Sequence, residues 1–232
     1  MTQPRAETLP LTDGSKLRFT VAEPETAVRG GLVVLHEARG VTDLVRALVS
    51  TLAQEGWLTV APHLYHRDGA DEFDEADGDR VRDQVSRLSG ESVLADTDAA
   101  FVWLGEQGVT PDRMGVIGFN LGGSVALLVA ASRSLGAAVS VGGDHILSAL
   151  AEGLPSPVDA ASELTCPWLG IYGTEESVKE EEVEKLREAA AAAPVATDVV
   201  RYPGALHRFD SDPRAAAEAW QRTLNWFDMH LR

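Results

Sequence analysis

The sequence predicts an α/β fold: a mostly parallel central sheet with helices on both faces, in one domain over residues 1–232. Three observations point there. Short, continuous apolar runs alternate with segments of helical period. The runs lack a polar face, as expected of strands buried on both sides. No internal repeat and no linker rich in Pro, Gly or Ser divides the chain.

The elements follow in order. Lys16 to Ala22 alternates at Leu17, Phe19 and Val21 and reads as a strand with one exposed face. Gly31 to His36 contains the run LVVL, a fully buried strand. Asp43 to Gln54 carries Leu44, Val45, Leu48, Val49 and Leu52 at helical spacing, and Gly56 stops it. Trp57 to Ala61 is a buried strand ended by Pro62. The stretch Pro62 to Val81 is long and polar, suited to a lid or a mobile loop. Glu91 to Gln107 reads as a helix, Arg113 to Phe119 as a strand, and Leu121 to Ser134 as a small-residue helix. Ala137 to Val141 and Pro167 to Tyr172 are strands ended by glycines. Val178 to Ala193 is a charged amphipathic helix, Val195 to Tyr202 a strand, and Pro213 to Leu231 the last helix.

Composition narrows the function. Twenty basic residues against 36 acidic ones give a net charge of −16. Nucleic acid and anionic membrane surfaces are poor partners for such a chain, because both draw on Lys and Arg. An anionic small molecule stays compatible, since a single arginine can hold a carboxylate. Two acidic stretches, Asp68 to Asp83 and Glu175 to Glu188, read as a solvated loop and a solvated helix face. One cysteine, Cys166, excludes an internal disulfide and a Cys-rich zinc site. It stands before Pro167 at the start of a strand, where it reads as buried. No apolar run approaches the length of a membrane span. Met1 to Pro10 has no apolar core, so no signal peptide is read there and a cytoplasmic location is expected. No cofactor is expected, and either a monomer or a homodimer suits the chain.

In sheets of this kind a ligand lies beyond the carboxyl ends of the strands. One such end reads Gly118-Phe119-Asn120-Leu121-Gly122-Gly123. Glycines around Asn120 suit a sharp strand-to-helix turn in which neighbouring backbones leave no room for Cβ atoms. That is a nucleophile elbow, with helix amides aimed at the ligand. The same glycines also suit a turn that only packs a helix tightly on a sheet. Gly118-Phe119-Asn120 is not the G-x-G of a dinucleotide site. Asn is no nucleophile, because its nitrogen is delocalised and its oxygen neutral. After the last strand comes Tyr202-Pro203-Gly204-Ala205-Leu206-His207. A hydrolase triad runs nucleophile, acid, His along the chain. Positions 120 and 207 fit its ends, and Glu175 or Glu176 fits the acid.

These residues resemble the dienelactone hydrolase family of α/β-hydrolases, from about Lys16 to Arg232. His36-Glu37-Ala38-Arg39-Gly40 is similar to the family's His-Glu-x-x-Gly. Val60 to Arg67 is similar to its Ala-Pro-Asp-Leu-Tyr-x-Arg, and Gly118 to Gly123 to Gly-x-Cys-x-Gly-Gly. Tyr202 to Phe209 is similar to Tyr-Pro-Gly-Ala-x-His-x-Phe. The resemblance implies a thiolate that attacks a lactone or ester carbonyl, a His and an Asp that complete its triad, and an early Glu that contacts the nucleophile in the empty site. Carried over, Glu37 is that Glu, His207 the His, and Glu176, or Glu175, the acid. The amides of Leu121 and Ala38 form the oxyanion hole, and Arg67 is an arginine that can hold a substrate carboxylate. The family's second such arginine falls on Ser211, with Arg208 nearby, and the Cys falls on Asn120.

Asn120 leaves four accounts: a binding protein that has lost hydrolysis, acid/base chemistry by Glu37 and His207 without a covalent intermediate, an engineered substitution that traps substrate, or another nucleophile. Ser124, one helical turn on, is expected to lie too deep for the last. His145 beside Asp144 follows a strand and can line the pocket or simply cap a loop. His63-x-x-His66 with Asp68 has the makings of a metal site but reads as a pair of solvated histidines, so no metal is expected. The expected activity is on a small lactone, ester or related carbonyl compound, with a catalytically silent ligand-binding protein as the alternative.

Overall fold

The computed structural model describes residues 3–11, 13–174, 178–205 and 212–231. The strands are β1 Arg5–Pro10, β2 Lys16–Ala22, β3 Gly30–Leu35, β4 Trp57–Pro62, β5 Met114–Phe119, β6 Ala137–Val141, β7 Trp168–Tyr172 and β8 Thr197–Arg201. They form one sheet in the order β1-β2-β4-β3-β5-β6-β7-β8. β1 pairs antiparallel with β2, and β2 with β4; every later pair is parallel. The helices are α1 Asp43–Gln54, α2 Gly78–Ser86, α3 Gly90–Glu106, α4 Leu121–Ser132, α5 Pro157–Ala160, α6 Glu180–Ala190 and α7 Pro213–His230.

Why the apolar runs become strands is visible at β3. Its side chains alternate between two cores. Leu32 and Val34 join Val45, Val49 and Leu52 of α1 and Phe227 of α7 on one face. Val33 and Leu35 join Phe101 and Leu104 of α3 and Val125 and Leu128 of α4 on the other. All four β3 side chains are fully buried. A strand with no wet face needs no polar alternation, which is why LVVL carries none.

Helices and strands read from the sequence coincide with the structure to within three residues at each end. The differences have physical causes. β1 lacks an apolar signature because it is an edge strand whose side chains are exposed or half-buried. Its Glu7 accepts a hydrogen bond from Trp103 Nε1 at 3.1 Å. The stretch Pro62 to Val81 is tied down: it holds a single 3-10 turn at His66–Asp68, and α2 begins inside it. Val41 N–H donates to Asp71 O at 3.0 Å and Phe73 N–H to Arg39 O at 2.9 Å. Phe73 packs edge-on against Tyr65, centroids 5.9 Å apart. One buried aromatic in an acidic run is a weak sequence signal, so the segment reads as free loop.

The two layers are joined through a buried relay. Trp168 Nε1 donates to Ser140 Oγ at 2.9 Å, and Ser140 Oγ donates to Gly123 O in α4 at 2.7 Å. Ser140→Ala leaves the buried Trp168 N–H without an acceptor, at a cost of about 1–3 kcal/mol. Urea unfolding is expected to show that loss in the wild-type background and a clearly smaller one when Trp168 is already Phe.

Candidate active site

Strand register brings the site together. Leu35 of β3 pairs with Gly118 of β5, so Glu37 and Asn120 leave neighbouring strands at the same level. Phe119 pairs with Val141 of β6, and Asn120 N–H donates to Val141 O at 3.0 Å. The turn there is as tight as its glycines suggest. A Cβ on Gly118 would lie 1.9 Å from Gly122 O. One on Gly122 would lie 2.3 Å from Leu35 O, and one on Gly123 2.2 Å from Gly142 O. Asn120 itself adopts φ 49°, ψ −109°. Such a conformation costs an ordinary residue about 1–3 kcal/mol and persists only when its surroundings impose it. The arrangement has the sharp strand-to-helix geometry of an elbow, with Asn120 at its apex. Leu121 begins α4, where a helix N–H has no intrahelical acceptor.

The β3 end lies against this turn, because Gly122 abuts the carbonyls of Leu35 and His36. Its residues are held firmly. His36 is wholly buried; Nδ1 sits 2.7 Å from Glu37 O, and Nε2 lies 3.2 Å from the Leu64 N–H. Nε2 must accept from that amide, so Nδ1–H donates to Glu37 O and the ring is neutral. Burial pushes its pKa down to about 4. Tyr65 Oη donates to Ala38 O at 2.8 Å, fixing the turn that carries the Ala38 amide. The Tyr65 phenol is pushed above its ordinary value by burial and by the Glu37 charge. Glu37 is buried, and its Oε1 accepts from Arg39 Nε at 3.3 Å.

The other candidates are placed as follows. Ser124 is buried and donates to Asp144 O at 2.6 Å, so its hydroxyl is committed. Cys166 is buried just before β7, at the opposite end of the strands from Asn120, and burial pushes its thiol up to about 12. Neither replaces a nucleophile. His145 is exposed, at φ 59°, with Nδ1 3.3 Å from Ser148 Oγ. Arg67 turns toward the sheet edge: Nη1 donates to the buried Asp96 of α3 at 2.7 Å and Nη2 to Asp13 at 3.3 Å. There it lines a hollow of about 590 Å³ with Leu9, Leu11 and Ala95. β2, β4 and β3 separate β1, on that edge, from the β5 that carries Asn120. His66 is not a solvated histidine; its side chain is buried beside Asp96, Nε2 3.0 Å from Oδ2. His63 is buried too, between Thr20 and Asp71. Among the described residues no group of three or more His, Cys, Asp or Glu can hold a metal ion. No helix among them is long and apolar enough to cross a membrane. His207, Glu175, Glu176, Arg208 and Ser211 lie outside the described residues. The residues that precede the two segments are bonded together: Thr174 N–H donates to Ala205 O at 2.6 Å, and Gly204 N–H to Thr174 Oγ1 at 3.0 Å.

Comparison with known proteins bears directly on this geometry. The family model described as "Dienelactone hydrolase family" matches residues 17–231. The chain belongs to the dienelactone hydrolase family. A Salmonella typhimurium protein described as "Putative carboxymethylenebutenolidase" is 36% identical over 205 residues, covering 84% of this chain and 76% of that one. A carboxymethylenebutenolidase of Rhodococcus opacus is 30% identical over 227 residues, covering 90% and 85%. Among solved structures, a Klebsiella pneumoniae protein described as "Putative Dienelactone Hydrolase" superposes with a TM-score of 0.85 at 32% identity, covering 97% and 98%. The architecture is that of an α/β-hydrolase, as the sequence predicts.

Sequence reading passed over two residues that structure this strand end. Arg39 stands inside the His-Glu-x-x-Gly motif as an unassigned position, and only side-chain geometry pairs it with Glu37. Tyr65 stands inside the stretch similar to Ala-Pro-Asp-Leu-Tyr-x-Arg as an unassigned position, and nothing in the sequence announces its bond to Ala38 O. The buried His36 makes one outcome measurable. Between about pH 6.5 and pH 4 the unfolded chain takes up a proton that the folded chain excludes. Stability present above that window is therefore lost as pH falls through it, by about 3 kcal/mol at most. His63, also lowered by burial, adds in the same sense. Urea midpoints measured from pH 7 to pH 4.5 are expected to fall, and to fall less steeply in His36→Gln.

Proposed function

We propose that this chain is an enzyme acting on a small, anionic carbonyl compound, a lactone, ester or close relative, without a covalent acyl intermediate. One observation carries the reading: the strained elbow is kept around a residue, Asn120, that cannot attack carbon. An elbow costs stability and is retained where its amides are used. In the proposed reaction Glu37 or His207 takes a proton from a carbon next to the carbonyl. The C–H electrons form a C=C bond and the carbonyl oxygen becomes an enolate. The Leu121 and Ala38 amides stabilise that oxygen. Return of the proton at the far end of the conjugated system gives an isomer; expulsion of a β-substituent with its electron pair gives an elimination product. Positioned acid/base groups contribute roughly 10²–10⁴-fold and an oxyanion donor about 10²–10³-fold. Asn120 has a neutral amide that can orient the substrate or a water beside them. The names of the relatives support the substrate class, since a carboxymethylene butenolide is a conjugated lactone bearing a carboxylate.

The test follows conjugated lactones and keto acids by NMR in D₂O, alongside an activated ester. Loss of the proton next to the carbonyl, or isomerisation, is expected in the wild type and is expected to fall at least about 100-fold in His207→Ala. Ester cleavage above the variant's background would sink the non-covalent mechanism. Saturable binding with no turnover of any kind would make the protein a silent binder instead. Asn120→Cys places a thiol on the retained elbow, and stopped-flow assays are expected to show a burst of ester cleavage stoichiometric with enzyme.

A further inference from the structure

We infer that Arg39, and not Arg67, is the arginine that binds the substrate's carboxylate, with Glu37 as its occupant in the empty site. The inference rests on the anionic carbonyl substrate proposed above. Both arginines are half-buried or less, so both can meet a ligand, but their commitments differ. Arg67 is shared between two carboxylates, Asp13 and Asp96, and the second is fully buried. Removing its charge from Asp96 would leave a buried anion without its guanidinium, which is costly. An incoming carboxylate therefore competes poorly for it.

Arg39 is in the opposite state. Among the described residues its guanidinium makes one hydrogen bond, from Nε to Glu37 Oε1, at 3.3 Å. That is long for a charged pair, and a guanidinium has five N–H donors in a fork that fits a carboxylate through two parallel bonds. Its side chain is 21% exposed, enough for access and little enough to limit screening. The backbone that carries it is fixed, because Arg39 O accepts from Phe73 N–H and Gly40 bridges to Glu72. Its place is right as well. It follows Ala38, whose amide is assigned to the oxyanion, and the β3 end abuts the elbow at Gly122. The nearby acids have other cations: Asp71 pairs with Arg18 and Glu72 with Arg46. In a chain of net charge −16, such a cation is where an anionic substrate can be held. A carboxylate on the Arg39 fork displaces Glu37 Oε1 from Nε, beside the bond where a proton is to be moved.

The test is calorimetric titration with carboxymethylene butenolide and, separately, its neutral methyl ester, so that binding is read without turnover. Wild type is expected to prefer the acid. Arg39→Ala is expected to weaken the acid about 10- to 100-fold while moving the ester less than about twofold. Glu37→Gln, which removes the competitor's charge, is expected to tighten the acid. Arg39→Lys, a point charge without the fork, is expected to recover part of the loss. The inference falls if Arg39→Ala leaves acid binding unchanged, if it weakens acid and ester alike, if Arg67→Ala carries the loss instead, or if wild type binds neither compound. Selective binding through Arg39 with no turnover would uphold the clamp and sink the catalytic reading. Turnover without any preference for the acid would do the reverse.

Discussion

The structure depends on how closely α4 approaches the sheet. Its first turn sits against the ends of three strands with backbone touching backbone: Gly118 on Gly122, Gly122 on Leu35, Gly123 on Gly142. No side chain fits between them. That closeness forces the β5-to-α4 turn to be sharp and drives Asn120 to positive φ. It sets the first turn of α4 against the carbonyls of Leu35 and His36, at the strand end that leads into Glu37, Ala38 and Arg39. The Ser140 relay from Trp168 to Gly123 ties the same first turn to β6 and β7. The site is thus a consequence of packing, and its polar groups are arranged around a contact made of glycines.

Electrostatics then sort the arginines. With 36 acidic and 20 basic residues, most cations here are spoken for. Surface pairs such as Arg46 with Glu72 or Arg18 with Asp71 contribute little stability each. They nevertheless neutralise the acidic segment that borders the site. Arg67 is committed differently, because its partner Asp96 is fully buried. Arg39, on one long bond to Glu37, has less to lose than Arg67 by changing partners. Commitment, more than position in a motif, decides which arginine can serve a ligand.

The sequence was legible wherever a residue's meaning is set by its immediate neighbours. Two-sided burial is written in LVVL, and the elbow in the glycines at 118, 122 and 123, so the sheet, its helices and the place of Asn120 could all be read. Edge strand β1 was illegible because an exposed edge imposes no apolar pattern. The tie-down of 62–81 rests on one aromatic, Phe73, and on backbone bonds that any residue can make. At the site, Glu37 was readable from its motif, whereas the pairing of Arg39 and the turning away of Arg67 were not. Both depend on acids distant in sequence or on rotamers, and Asp96 carries no sign of its burial in a helix of mixed polarity.

Asn120 also changes what its neighbours have to bear. A thiolate at the elbow would set one negative charge near another, since Glu37 leaves the adjacent strand at the same level. Two like charges brought together in a partly dry site repel. A neutral carboxamide removes that repulsion. Glu37 holds Arg39 without a second anion pressing on it. The turn apex thus carries a neutral carboxamide beside the strand end that holds the Glu37–Arg39 pair. In the proton-transfer reaction proposed above, these groups would divide the work between a base, a cation for the substrate, and amides for the oxygen that becomes negative.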